Sequence, residues 1–311
     1  MSVARLAPCI LSVQALLALP VIDVRACESM SGNCGYTTQT ADQNENKKKK
    51  VTDDPRKPLR DIASELGWSN ATVARLRRIT GFVVCQSEGK MRPFASGAIV
   101  GTDLTLLTAV HLFFDRSGRL KSLNCQFQNQ ASPVERVPLR LSKIEDARFG
   151  TTNPYDDWNH DWMVIRLARA LPGIEPLRVS SDAVLAEGRE VISVSAFQID
   201  VDWVSRSEPI AEICTHWRLK PKRDAPPLME TDCLSNKGAS GSPLITESAG
   251  QLVAVGVESY GVDTTGRLGY SPRTGGVVAI DSTIVAAIEE LSGKRALRAS
   301  IADAPLFIRR R

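Results

Sequence analysis

The stretch ITGFVVCQSEGKMRPFASGAIVGTDLTLLT, residues 79–108, decides the predicted fold. It contains three short apolar runs, at 79–85, 94–100 and 104–108, with Gly, Asp, Ser or Pro residues between them. Runs of this length that are rich in Val, Ile, Leu and Phe and bounded by turn residues are typical of β-strands. The stretch therefore predicts successive strands and no helix.

The same pattern of short apolar runs separated by turn residues continues toward the C-terminus. Further candidate strands lie at 137–144, 161–167, 191–197, 210–219, 228–232, 242–245, 252–259 and 275–280. Because no helices alternate with these strands, the pattern favours an all-β sandwich or barrel over an alternating α/β fold. One helix is predicted after the strands. It begins at Asp281 or Ser282 and ends near Leu291, before Gly293.

The N-terminal 78 residues differ from this β-rich region. Residues 1–26 have the charge, the apolar stretch and the small terminal residue of a secretory signal peptide. Residues 27–78 are interpreted as a linker or pro-segment, because they are polar and broken up to about residue 58. From Leu59 to Arg78 the apolar spacing becomes helical, with Ser69 as a predicted N-cap.

Charge and hydrophobicity exclude several classes of partner. The net charge is +4, and the run Lys47–Lys50 accounts for it, so no nucleic-acid-binding surface is predicted. After the signal, no segment reaches the roughly 20 apolar residues of a membrane span. Residues 294–311 form a basic tail. The oligomeric state is not predicted.

Cysteine usage supports export to the periplasm or the medium. Six cysteines follow the predicted signal peptide: Cys27, Cys34, Cys85, Cys125, Cys214 and Cys233. An even number in an exported chain favours three disulfides, whose pairing the spacing leaves open. There is no Cys-x-x-Cys motif, so a structural zinc site is disfavoured, and neither a metal nor an organic cofactor is predicted.

The sharpest chemical signal is the stretch KGASGSPL, residues 237–244. A serine between glycines on a tight turn can expose its hydroxyl, here that of Ser240. The same turn leaves the backbone amides of Gly238 and Ser240 free to stabilise a developing oxyanion. A serine hydroxyl also needs an adjacent base.

Two further residues could complete such a site. His111 ends the apolar run Leu106–Val110, where its imidazole can face a cleft. Asp161 precedes the apolar run 162–167 and could orient that imidazole, with Asp156 and Asp157 as rival carboxylates.

His111, Asp161 and Ser240, in that order and with these flanking motifs, resemble the trypsin-like peptidases. The sequence is most similar to their bacterial exported branch, which includes the glutamyl endopeptidases. The resemblance covers about residues 79–291. It implies a peptidase domain at 79–293, in which two six-stranded antiparallel β-barrels pack around a cleft and divide near 172–185, with a C-terminal helix.

The resemblance assigns roles to individual residues. It makes His111 the general base, Asp161 its orienting partner and Ser240 the nucleophile, with Gly238 and Ser240 forming the oxyanion hole. It also implies a serine endopeptidase that acts on protein or peptide substrates through an acyl-enzyme.

The same resemblance implies further structural features. Ser259, Tyr260 and Gly261 resemble the strand that pairs with substrate backbone. Similar bacterial members suggest the disulfides Cys85–Cys125 and Cys214–Cys233, which leaves Cys27–Cys34 by elimination.

Two departures from the family pattern bear on activation and specificity. Ala239 stands where trypsin has the aspartate that receives the freed N-terminus, so activation at Arg78-Ile79 is disfavoured, although removal of 27–78 could still regulate a zymogen. Leu234 stands where trypsin has its pocket aspartate. Glu258 either faces the substrate pocket, where it would favour a basic residue, or points into solvent.

Two other functions compete with an active peptidase. The fold could serve a catalytically silent or latent binding protein. An α/β-hydrolase esterase would need Gly-x-Ser-x-Gly and the serine first in chain order, and neither holds here.

Overall fold

The computed structural model describes residues 54–121, 124–141, 144–181, 188–222, 225–248, 250–261 and 275–293. The predicted signal peptide, the basic tail, Cys27 and Cys34 lie outside the described residues. In chain order the strands and α-helices are β1 (Lys57–Pro58), α1 (Leu59–Glu65), α2 (Asn70–Ile79), β2 (Thr80–Ser87), β3 (Lys90–Ile99), β4 (Thr105–Thr108), β5 (Cys125–Asn129), β6 (Arg136–Pro138), β7 (Ala147–Phe149), β8 (Met163–Arg166), β9 (Arg178–Val179), β10 (Arg189–Ser195), β11 (Ile210–Lys222), β12 (Ala225–Thr231), β13 (Pro243–Ser248), β14 (Gln251–Gly261), β15 (Gly275–Ala279) and α3 (Ser282–Leu291).

The first sheet contains seven strands in the order β6-β5-β2-β3-β4-β8-β7, all antiparallel. The sheet closes on itself where Leu139, just after the end strand β6, bridges Leu167, just after β8. Backbone hydrogen bonds from Ala168 N to Pro138 O (2.8 Å) and from Arg140 N to Arg166 O (2.9 Å) flank this bridge. One edge of β8 pairs with β4. The other edge is shared by β7 and by the residues just after β6, so only a short contact, and not a full ladder of paired residues, closes this barrel.

The second sheet forms a closed barrel of six strands. Its order is β11-β10-β13-β14-β15-β12, and antiparallel pairing of β12 with β11 completes the ring. Two short strands are added outside it: β1 pairs with β11, and β9 runs parallel to β14. Two antiparallel barrels followed by a C-terminal helix confirm the predicted fold class.

One continuous apolar core joins the two barrels. Phe113 and Phe127 from the first barrel and Ile245 and Val278 from the second belong to the same buried cluster. Strand β5 shows how the sequence produces this core, because its residues alternate between buried and half-buried along the strand. Each large apolar side chain buried in this way contributes about 1.5–3 kcal/mol.

The helical region before the barrels is two helices and not one. Helix α1 ends at Glu65, the turn after it contains Gly67 at φ 68°, and Ser69 caps α2 by accepting a hydrogen bond from Thr72 N (3.1 Å). The predicted N-cap is therefore confirmed. Leu59, Ile62 and Leu76 are fully buried in the common core, so residues 54–79 pack against the barrels.

Several strand boundaries differ from the sequence prediction. The strand expected at 137–144 is wrong beyond Pro138, because residues 144–146 form a 3₁₀ turn. The strand expected from residue 161 begins at Met163, after another 3₁₀ turn at 158–160. Strands β1, β5, β7 and β9 were not predicted, because their two to five residues carry too little apolar pattern to stand out.

Helix α3 follows β15 as expected. Asp281 is its N-cap and accepts hydrogen bonds from Thr283 N and Ile284 N, both at 3.0 Å. At the other end, the Arg166 guanidinium donates to Leu291 O at 2.8 and 2.9 Å. An arginine on a helix C-terminal carbonyl stabilises that end, so α3 is held against β8 of the first barrel.

Candidate active site

The His111 ring is held by Asp161. Strand β4 ends at Thr108, and His111 lies in the 3₁₀ turn that follows it. The ring atom Nδ1 lies 2.7 Å from Asp161 Oδ2, and the His111 backbone amide donates to Asp161 Oδ1 at 2.8 Å. Because both carboxylate oxygens contact the same residue, the imidazole is fixed in orientation, with Nε2 as the ring nitrogen that Asp161 does not contact.

Asp161 is fully buried and has a third donor. The hydroxyl of Ser259 in β14 also donates to Asp161 Oδ2. Since β14 belongs to the second barrel, Asp161 joins both barrels at this point. A carboxylate that accepts three hydrogen bonds is compensated for its burial.

The rival carboxylates make other contacts. Asp157 Oδ2 contacts His160 Nδ1 at 2.7 Å, and Asp156 accepts a hydrogen bond from Asn153 at 2.8 Å. Asp157 is 32% exposed, whereas Asp161 has no exposed surface. Asp161 is therefore the carboxylate that contacts His111.

The serine turn folds tightly against the first barrel. Ala239 N donates to Asn236 O (2.9 Å), Ser242 N donates to Ala239 O (2.8 Å), and Gly241 N donates to Glu258 O (2.7 Å). Gly241 has φ 83°, and a Cβ there would overlap backbone and side-chain oxygens of β3 and β4. Glycine is therefore required at 241 by both conformation and space.

Ser240 lies at the junction of the two barrels. Its side chain is half-buried, and its hydroxyl donates to Ser259 O at 3.5 Å. Ser259 also contacts Asp161, so Ser240 and the carboxylate that holds His111 both contact the same residue of β14. Within the described part of the chain, Ser240 Oγ makes this long contact and no hydrogen bond to His111.

The two predicted oxyanion donors lie in the same turn. Gly238 has φ 107°, and a Cβ at this residue would lie 2.7 Å from Phe197 O. In the described chain, the amides of Gly238 and Ser240 donate to no backbone carbonyl. Both are therefore available to a bound oxygen.

The sequence analysis missed Ser96, which connects this turn to β3. Its hydroxyl donates to Gly238 O at 2.7 Å and accepts from Ala196 N at 2.9 Å. Its own amide donates to Ser240 O at 2.9 Å. Ser96 is buried. A serine in a strand of small residues carries no sequence signal for this role, because the partners lie about a hundred or more residues away.

Glu258 has no exposed surface, so the alternative in which it points into solvent is wrong. Burial, and then repulsion from Glu212, raises the pKa of Glu258 to about 8. Burial likewise raises the pKa of Glu212 to about 8. Ser193 Oγ donates to Glu258 Oε2 at 3.4 Å, while Oε1 has no partner among the described residues.

The other predicted substrate-binding residues surround the turn. Leu234 is half-buried, and its amide donates to Glu212 Oε2 at 2.8 Å. Tyr260 and Gly261 continue β14 and pair with β15 on one side. Strand β13 pairs with β14 only up to Val257, so the last residues of β14 have an edge that β13 does not cover.

Two of the implied disulfides are present. Cys85 and Cys125 join β2 to β5, and Cys214 in β11 joins Cys233, just after β12. Both pairings are confirmed. Within the residues that the structure covers, no cluster of three or more His, Cys, Asp or Glu side chains could hold a metal ion. No helix in the described ranges is long and apolar enough to cross a membrane.

Comparison with known proteins identifies the family. The family model described as "Trypsin-like peptidase domain" matches residues 95–255, more than half of the 311-residue chain. The chain belongs to the trypsin-like peptidase family. It is therefore a serine endopeptidase by family. A search of curated proteins finds no match.

Solved structures of serine proteases are similar to this trypsin-like peptidase. Protease Anisep from Arthrobacter nicotinovorans has 16% identity and a TM-score of 0.50, over 70% of this chain and 96% of that one. The thermostable serine protease AL20 from an extremophilic microorganism has 14% identity and a TM-score of 0.47, over 73% and 99%. Mouse neuropsin, a serine protease expressed in the limbic system of the brain, has 14% identity and a TM-score of 0.48, over 74% and 96%. The likeness to Anisep concerns the fold.

Proposed function

We propose that this trypsin-like peptidase is an exported endopeptidase whose catalytic triad is His111, Asp161 and Ser240. The observation that carries the proposal is the buried carboxylate of Asp161, which contacts both Nδ1 and the backbone amide of His111. This contact keeps a proton on Nδ1 and leaves Nε2 as the basic nitrogen. Export is supported by the signal-like N-terminus and by the two disulfides.

The reaction divides into two halves. Ser240 Oγ attacks the scissile carbonyl carbon while its proton moves to His111 Nε2, and that proton then passes to the leaving amine. Water repeats the sequence on the acyl-enzyme, so the carboxylic acid product leaves and Ser240 regains its proton. The amides of Gly238 and Ser240 stabilise the negative oxygen of each tetrahedral intermediate.

Hydrolysis of a positional-scanning peptide library by the full-length protein tests the triad. Ser240→Ala and His111→Ala should each lower kcat by about 10⁴-fold or more, and the double variant should be no worse, because the triad acts as a unit. His160→Ala is the matched control, since His160 has the same Nδ1 contact to an aspartate outside this site. Undiminished activity in Ser240→Ala would overturn the proposal.

We further propose that Glu258 selects a basic residue at P1, the residue on the amino side of the cleaved bond. A Cβ built on Gly275 would lie 3.7 Å from Glu258 Oε1, 3.1 Å from Thr231 Oγ1 and 3.5 Å from Cys233 O. Of these acceptors, Glu258 Oε1 and Thr231 Oγ1 have no hydrogen-bond partner within the described chain. Unpaired buried acceptors around one glycine fit a cationic side chain better than an apolar one.

Glu258→Gln separates this specificity from catalysis itself. The variant keeps the shape of the pocket and removes its charge. Preference for Arg and Lys over Leu at P1 should therefore fall by about 10- to 100-fold, the strength of a charge-assisted hydrogen bond. Turnover of Arg substrates by the wild type should rise as pH approaches 8, since the ionised carboxylate binds the cation. A library preference for Glu at P1 would contradict the assignment.

A further inference from the structure

Arg56 precedes the barrels and is nevertheless buried, with 3% of its surface exposed. The strand after it, β1, pairs with β11 of the second barrel, and Leu59 N donates to Pro209 O at 2.9 Å. This anchored segment inserts the Arg56 side chain beside the loop that follows β10.

The five N–H donors of the Arg56 guanidinium make five hydrogen bonds. Nε and Nη2 donate to Asp54 at 2.9 and 2.7 Å, Nη1 and Nη2 donate to Asp200 at 2.9 Å each, and Nη1 donates to Gln198 Oε1 at 2.7 Å. The centre of the Trp203 ring lies 5.9 Å from the guanidinium carbon. Although burial favours the neutral form of Asp200, the contacts with Arg56 hold the pKa of this carboxyl below its ordinary value. Three of these hydrogen bonds hold segment 198–200, and the other two hold Asp54.

Segment 198–200 contacts the oxyanion turn as well as Arg56. Ile199 N donates to Lys237 O at 2.9 Å, and the Asn236 side chain is among the groups that lower the pKa of Asp200. Asn236 O in turn accepts the amide of Ala239 at 2.9 Å. The peptide group that joins Lys237 to Gly238 contains the first oxyanion amide. Segment 198–200 therefore holds this peptide group through its carbonyl oxygen.

The turn has no charged anchor of its own next to the nucleophile. Ala239 is fully buried and contributes only a methyl group. Cleavage before Ile79 is also hindered, because Ile79 is fully buried as the last residue of α2 and Arg78 donates to Gly173 O (3.0 Å) and Pro172 O (2.8 Å). A cation supplied by the attached N-terminal segment is the anchor that the structure provides.

We propose that Arg56 is a positioning residue, which orients the Gly238 amide through segment 198–200, so that the active enzyme retains residues 54–58. The inference rests on the proposed function of Ser240 as nucleophile. It predicts that the N-terminal segment is a part of the working peptidase and not an inhibitor removed on activation.

Kinetics of the full-length Arg56→Ala variant test the inference. We expect kcat to fall about 100-fold, which is the effect of losing one oxyanion donor, while KM changes less than about threefold. Methylguanidinium at millimolar concentration should restore about a tenth of the lost kcat by filling the vacated site. A merely structural role would not give such rescue in a protein that is already folded.

Arg77→Ala is the matched control. Arg77 is a second arginine of the N-terminal segment, and it donates to Gln130 O and Ser207 O but not to segment 198–200. Its loss should lower Tm without a fall in kcat and without rescue. If Arg56→Ala does not fold, Asp200→Asn removes the ion pair between Arg56 and segment 198–200 and leaves the pair between Arg56 and Asp54 in place. This variant should also show a fall in kcat. A double variant of Asp200→Asn with Arg56→Lys should have a kcat no lower than Asp200→Asn alone, because both changes act on the same link.

The outcomes separate the two proposals. A wild type that hydrolyses no peptide and does not react with a fluorophosphonate refutes the proposed function itself. An active wild type with unchanged kcat in the folded Arg56 or Asp200 variants overturns the role of Arg56 alone. Full activity of a chain that lacks residues 54–78 would overturn it equally.

Discussion

Replacing Glu258 by glutamine should change how stability depends on pH. Burial raises the pKa of Glu258 from 4.5 to about 8, so between these values the folded protein keeps a proton that the unfolded chain releases. Below pH 4.5 both states are protonated and the carboxyl has no effect. As pH rises through the window the unfolded state is favoured, so the free energy of unfolding falls with increasing pH.

The size of this effect follows from the pKa difference. One pKa unit corresponds to about 1.4 kcal/mol, so Glu258 lowers the free energy of unfolding by up to about 3 kcal/mol between pH 5 and pH 7. Glutamine does not titrate, and the variant loses this component. Glu212, whose pKa burial also raises to about 8, is present in both proteins.

Urea unfolding at pH 5, 6 and 7 measures the difference. The comparison is best made in a Ser240→Ala background with disulfides intact, so that self-digestion does not interfere. From pH 5 to pH 7, the free energy of unfolding of Glu258→Gln should fall by up to about 3 kcal/mol less than that of its parent. Glu247→Gln, at an exposed position of β13, should leave the slope unchanged. Parallel curves for the Glu258→Gln variant and its parent would refute the reasoning.

Three further substitutions test contacts of the site. Ser259→Ala removes a donor to Asp161, so kcat/KM should fall by about 10- to 100-fold with little change in Tm, as steady-state kinetics and thermal unfolding would record. Ser96→Ala leaves a carbonyl of the oxyanion turn without its donor, and both kcat and the free energy of unfolding should fall, the latter by about 1–3 kcal/mol in urea titrations. Gly241→Ala should abolish activity and soluble expression, because its Cβ overlaps neighbouring oxygens. Gly250→Ala is the control. An added Cβ there meets open space, so the free energy of unfolding should fall by only about 1–2 kcal/mol, because the residue has a positive φ.

The sequence was sufficient to predict those features of the fold and the site that depend on neighbouring residues in the chain. Short apolar runs bounded by turn residues predicted most strands, and Ser69 predicted the start of α2. The chain order of His111, Asp161 and Ser240 indicated the family, together with the apolar runs that flank each of these residues. The disulfide pairing came from family resemblance, since the spacing left it open.

The sequence did not reveal contacts that depend on distant partners. Ser96 and Arg56 bind residues 142 and 144 positions away, and neither has a motif that marks it. The orientation of Glu258 was open for a similar reason, because the face of a strand toward the core depends on which strands pair around it. The short strands β7 and β9 form only because longer neighbours offer an edge.

Reaction with a fluorophosphonate, followed by peptide mass spectrometry, tests the central claim most directly. The reagent should phosphonylate the full-length protein once per chain, at Ser240 Oγ, and His111→Ala should slow the reaction by orders of magnitude. A label on another residue, or no reaction in a folded wild type, would contradict the assignment of Ser240 as the nucleophile.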